Sequence, residues 1–217
     1  MSARYELAVS LILPTNSFEN QGQFNIVLTD ELPLILNAFK KLGVGAKPYR
    51  PKLSIMICGK RHHARFYPTQ SNDAAPNGNT LPGTVVDKGV TSVYTFDFYL
   101  QAHAGLQGTV RPTHYTVIYD ENRLDADTIQ QGTHTASYLY VRATKAVSLV
   151  PAAYYADLAC ERARCYINKL FVNSDDKTSV SGGKRDKEAE TKRVFEEAEK
   201  MWGAGIHDNL KGTMFYI

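Results

Sequence analysis

Leu53-Ser54-Ile55-Met56-Ile57-Cys58-Gly59-Lys60-Arg61-His62-His63-Ala64-Arg65 sets an apolar run directly against a basic one. Residues 53–58 are short, almost continuously apolar and rich in isoleucine. That pattern predicts a strand covered on both faces. Two further runs read the same way, residues 7–13 and residues 114–119. Between the first two lies 31–42, where Leu32, Ile35, Leu36 and Phe39 recur at helical spacing and Gly43 supplies a stop. Strand, helix and strand in that order predict an α/β sheet that is partly parallel.

Residues 70–87 carry Asn77-Gly78 and Pro82-Gly83 with few large apolar side chains, and they read as an exposed loop. Phe96, Phe98 and Leu100 alternate, predicting another strand over 95–100. Helices are predicted over 127–143 and 151–170, the second opened by Pro151 and given apolar positions by Leu158, Cys165 and Ile167. Residues 173–183 are rich in Ser, Asp and Gly and predict a mobile excursion, taken as 173–185. Val194, Phe195, Ala198, Met201 and Trp202 then share one face of an amphipathic helix.

Bulk composition narrows the function classes. The 217 residues suit one domain with a sizeable core. A formal net charge of +3 excludes a histone-like polycation and leaves room for a local basic face. The three cysteines, Cys58, Cys160 and Cys165, form no CxxC pair and no zinc-ligand spacing. They read as reduced, intracellular, non-catalytic thiols. The first 14 residues are too short in their apolar core, and too interrupted by Glu6, for a signal peptide, and nothing approaches transmembrane length.

Four clusters carry chemistry. Lys60, Arg61, His62, His63 and Arg65 leave a strand end together, and such groups suit a phosphate backbone, although a lone basic loop is as often simply solvated. His103 to Pro112 places glycines where a backbone can approach a ligand closely, with Arg111 beside them; alone, a glycine turn before a strand is a weak signal. Tyr140, Arg142, Lys145, Ser148, Tyr154 and Tyr155 place hydroxyls and cations at intervals that can hold successive phosphates, while tyrosines alone more often pack in a core. Asp157 lies on a helical stripe with Tyr154, Leu158, Glu161 and Cys165, with Arg162 at its edge. A carboxylate there is either an ion-paired acid or one ligand of a Mg²⁺ site, and a two-metal nuclease needs several.

Read in order, these stretches are specific. KRHHARF (60–66), GTVVDKGVT (83–91), FDFYLQAHAGLQGTVRPTHYTVIYDEN (96–122), YLYVRATKAVSLVPAAYYADLACERARCYI (138–167) and DNLKGTMFYI (208–217) resemble the C-terminal portion of a eukaryotic Argonaute PIWI domain, from about Gly22 to Ile217. The tail Met214 to Ile217 and Asp157 resemble fungal members. Residues 1–21 look divergent.

The resemblance implies an RNase H-like α/β fold, a mixed sheet flanked by helices, lacking its first strands in this chain. It implies binding of a small guide RNA paired to a target RNA, in RNA silencing, with other proteins of that pathway as further partners. The location implied is cytoplasmic or nuclear, with no membrane. Guide contacts carry over to Lys60, Arg61, His63, Arg65, His103, Arg111, Tyr140, Arg142, Ser148 and Tyr154, and Arg162 resembles the arginine that reaches the guide 5′ phosphate. The fourth position of the family's catalytic tetrad falls on Asp157. The family's YRDGVSEGQF matches well only at Gly22-Gln23-Phe24, and the register sets Ser17-Phe18 where its Asp-Gly stands. The other two acids belong upstream. One tetrad position of four implies a chain that binds RNA without a cofactor and does not cleave alone. Mg²⁺ cleavage would need the set completed, with Asp97 or Asp120 as recruits. The remaining alternative is an inactive truncated remnant.

Overall fold

The computed structural model describes residues 21–43, 49–175, 184–203 and 205–217. The strand expected over 7–13 lies outside them, as do 176–183 of the expected mobile excursion. The chain divides into two compact units, residues 1–153 and 154–217, with the division inside one long helix.

The first unit is built on four strands, β1 (Ser54–Gly59), β2 (Thr84–Val86), β3 (Asp97–Gln101) and β4 (Thr113–Asp120), in the order β1-β4-β3-β2. All the described pairings are antiparallel. The parallel partner anticipated for β1 was the run outside the described residues. Alternation along β1 assigns the faces. Leu53 and Ile55 pack with Leu32, Ile35, Leu36 and Phe39 of helix α2 (Leu32–Lys41), which follows α1 (Gln21–Ile26) through a π-helical turn. Met56 and Cys58 pack on the other side with Phe98, Leu100, Tyr115 and Ile129. Ile129 belongs to α3 (Ala126–Ala136), so helices cover both faces. A bulge between Ile55 and Met56 shifts the register against β4.

Several elements differ from expectation. Helix α3 is shorter than 127–143. Asp125 caps it by accepting from the Thr128 amide at 2.8 Å. It ends where Ser137, fully buried, turns its hydroxyl onto the His134 carbonyl at 2.6 Å. Beyond that point Leu139 and Val141 are exposed, so continuing the helix would bury nothing more. The supposed exposed loop 70–87 contains β2, a 3₁₀ turn (Ser71–Asp73) and an isolated bridge from Ala74 to Thr80, with Asn79 and Thr80 buried.

In the second unit, α4 (Pro151–Asp175) outruns its expected end and α5 (Lys184–Trp202) starts inside the supposed loop. Leu170 and Val194 are buried, and the Tyr166 and Trp202 rings meet edge-on at 6.3 Å. The apolar face of α5 is only partly used, because Phe195 and Met201 are exposed. Cys160 and Cys165 are exposed as well, so Cys165 is not the apolar contact its spacing suggested. Cys58 is buried, and burial pushes its thiol up to about 12, which leaves it inert. No described helix is long and apolar enough to cross a membrane.

Candidate nucleic-acid interface

Sheet topology creates the site. Gly59, the last residue of β1, pairs with His114 near the start of β4. The segment leaving β1 therefore lies beside the segment entering β4, and the loop from β3 to β4 arrives at the same end of the sheet. Two basic clusters about 45 residues apart in the chain meet there. The Arg111 guanidinium donates to the Lys60 carbonyl at 3.3 Å. His62 Nε2 and the Pro112 carbonyl are 2.9 Å apart.

Electrostatics report the same convergence. Burial, then Arg111 and Arg65, hold the Lys60 ammonium down to about 8. Burial and the Lys60 charge push His103 below its usual range. Cations placed this closely repel one another, and a polyanion relieves that repulsion. Arg65 is steadied by donating to the Ala64 carbonyl at 2.7 Å. Arg61, His63 and Arg111 are carried on the same segments, and all three are exposed.

The adjacent histidines divide their labour. His62 wedges against Tyr99 and His114, with ring centroids 5.2 and 6.4 Å away. Tyr99 stacks on His114 at 4.4 Å, and His114 Nε2 sits 2.6 Å from the buried Asp97 carboxylate. This aromatic pack supports the basic rim from below. His63 belongs to the rim itself.

The third cluster is tied to the same sheet end through Ser148, whose carbonyl accepts from the Thr113 hydroxyl at 2.5 Å. Tyr140 is half-buried and Arg142 exposed in the irregular segment after α3. Tyr154, Asp157 and Arg162 belong to the second unit, on α4; Tyr154 is half-buried, and Asp157 and Arg162 are exposed.

The acids do not assemble. Asp157 and Glu161 face solvent, so the supposed half-apolar stripe is a wet helix face. Asp97 is occupied by His114 and by the Ser92 amide at 2.8 Å. Asp120 accepts from the Ser54 hydroxyl at 2.5 Å and from the amides of Asn122 and Leu124 at 3.1 and 2.9 Å. Among the described residues, no three His, Cys, Asp or Glu side chains converge to hold a metal ion. Within the first unit, Asp97 and Asp120 are thus each engaged by neighbouring hydrogen-bond donors rather than gathered at a common metal position.

Sequence reasoning missed Asn77 and Asn79. Their amides reach across to the carbonyls of Gly105 and Gly108 at 2.7 and 2.8 Å. Asparagine beside glycine signals a turn, and nothing in that signal says which distant loop the side chains will bind.

Residues 19–168 match the Piwi domain family model. The chain belongs to the Piwi domain family. It is similar to the Argonautes in particular. It is 42% identical over 200 residues to the protein argonaute MEL1 of Oryza sativa subsp. japonica and 40% identical over 200 residues to the protein argonaute 5 of Arabidopsis thaliana. Each match covers 91% of this chain and 18% or 19% of the relative, so the chain spans about a fifth of the curated relatives' length. Among solved structures, the C-terminal lobe of a budding yeast Argonaute superposes with a TM-score of 0.73 at 33% identity, covering 92% of this chain and 38% of that one. The Kluyveromyces polysporus Argonaute, solved with a guide RNA, gives 0.72 at 32% identity, covering 92% and 23%. The RNase H-like α/β fold of the PIWI lobe is therefore the fold of this chain.

Proposed function

We propose that this PIWI segment binds the backbone of a small guide RNA, and through it a target RNA, as part of an RNA-silencing protein. The observation that carries the reading is the meeting of Lys60, Arg65, His103 and Arg111 at one end of the sheet. Arg61, His63, Tyr140, Arg142 and Ser148 are read as further guide contacts of the first unit, and Tyr154 and Arg162 as guide contacts carried by the second. Arg gives bidentate contacts to phosphate, Lys a point charge, and hydroxyls neutral hydrogen bonds. Binding needs no cofactor. On this reading the chain is a module that does not cut by itself, with Mg²⁺ entering only where further carboxylates join Asp157 to complete the set. The compartments in keeping with this reading are the cytoplasm and the nucleus, alongside other Argonaute-pathway proteins. Within the family, the Met214 to Ile217 tail and Asp157 favour the fungal members.

The test is titration of a 5′-phosphorylated guide-length RNA across a salt series, with Arg142→Glu alongside. Binding should weaken as salt rises, and weaken further in Arg142→Glu. Salt-independent binding, or none at low salt, would overturn the reading.

A further inference from the structure

The glycine loop between β3 and β4 carries His103 and Arg111, yet it has little structure of its own. Among the described residues, no backbone–backbone hydrogen bond joins two members of 103–111. A loop that must present a cation to a phosphate within hydrogen-bond distance needs an external brace.

The brace comes from 77–79. The Asn79 side chain is 3% exposed and makes two opposed bonds. Its Nδ2 donates to the Gly108 carbonyl at 2.8 Å and its Oδ1 accepts from the Val110 amide at 2.8 Å. Only one orientation of the amide satisfies both partners. Asn77 donates to the Gly105 carbonyl at 2.7 Å, and its own Oδ1 accepts from the Asn79 amide at 3.3 Å. The Asn79 carbonyl accepts from the Ala75 amide at 2.8 Å, and the Ala74 to Thr80 bridge closes the turn around it. Gly105 lies so close that an added Cβ would sit 2.3 Å from Val110 Cγ2 and 3.1 Å from Asn79 Nδ2. Loop and brace fit with no room to spare.

We propose that Asn79, assisted by Asn77, is a positioning residue for guide binding: it holds the 103–111 loop so that Arg111 meets the RNA backbone, without touching RNA itself. The proposal rests on the guide-binding reading above.

A double-mutant cycle in RNA affinity tests it. The full 217-residue chain and 5′-phosphorylated RNA are used, with thermal unfolding followed for every variant. Removing one charged interaction in Arg111→Ala should weaken binding roughly tenfold. Asn79→Ala should weaken it by a similar factor. Together the two should weaken binding about tenfold rather than a hundredfold, because the second change acts on an interaction the first has already broken. Asn79→Ala combined with Arg142→Ala should multiply to about a hundredfold. A general loss of folding would multiply with both arginines alike, and that result overturns the proposal, as does unchanged affinity in Asn79→Ala. Should Asn79→Ala lack a cooperative melt, Asn77→Ala, an exposed side chain with one tether to the loop, carries the same cycle. Failure of the guide-binding reading looks different: Arg111→Ala and Arg142→Ala would both leave affinity unchanged, and the proposal falls with it.

Discussion

Lys60 gives the site a pH signature. Its ammonium is held down to about 8 by burial and by Arg111 and Arg65. At that value about nine in ten Lys60 side chains are charged at pH 7 and about one in ten at pH 9. A bound phosphate favours the charged form and raises the value again, so binding takes up a proton above pH 8. RNA affinity should therefore fall by roughly tenfold between pH 7 and pH 9, one pH unit costing a factor of ten. His62 and His103 are pushed down and Cys58 up to about 12, so none of them confuses this window. The assay is fluorescence anisotropy at fixed ionic strength. An RNA of adenine and cytosine serves best, because its bases do not ionise near pH 9. Lys60→Arg stays charged and should flatten the profile. A flat wild-type profile, or the same slope in Lys60→Arg, would refute the placement of Lys60 against phosphate.

The remaining predictions concern fold and loop. The folded Lys60 value lies below the unfolded one, so its stability deficit is full below pH 8 and is relieved as pH rises toward 10.5. Lys60→Gln should accordingly stabilise the fold at pH 7 by up to about 1 kcal/mol after screening, with a raised thermal midpoint, while weakening RNA binding. Gly105→Ala should weaken binding and lower stability by roughly 1–3 kcal/mol, because its Cβ would strike the buried Val110 Cγ2. Adding Val110→Ala, which removes that methyl, should restore part of the affinity. Phe98→Ala opens a cavity under a fully buried ring and should cost about 3–5 kcal/mol by denaturant titration. Asp157→Ala, on a solvent-facing turn of α4, should leave the melt unchanged and RNA affinity within about twofold.

Much of this was legible in the chain. The apolar runs at 53–58 and 114–119 became β1 and β4, because strands buried on both faces have few other sequence patterns, and the alternation over 95–100 became β3. The helix over 31–42 was equally plain. What failed depended on distant partners. Residues 70–87 looked exposed because polar side chains dominate, yet Asn79 and Thr80 are buried, each with hydrogen-bond partners; the Thr80 carbonyl accepts from Gln101 of β3 at 2.6 Å. Helix α3 was overextended because Tyr138 to Val141 continue an apolar pattern that has no core left to face. At the site, the basic residues could be named from sequence, but not their meeting, which required the β1–β4 pairing. Asp157 looked half-buried by helical periodicity, and only the packing of α4 shows it in solvent.

The most direct measurement compares salt slopes. The slope of log affinity against log salt is read for the wild-type chain and for Lys60→Gln/Arg111→Gln with one single-stranded 5′-phosphorylated RNA. If both side chains neutralise phosphates, the slope should become shallower by about 1.4, roughly 0.7 for each phosphate no longer neutralised. An unchanged slope, with or without a change in affinity, would contradict a guide backbone held at this end of the sheet.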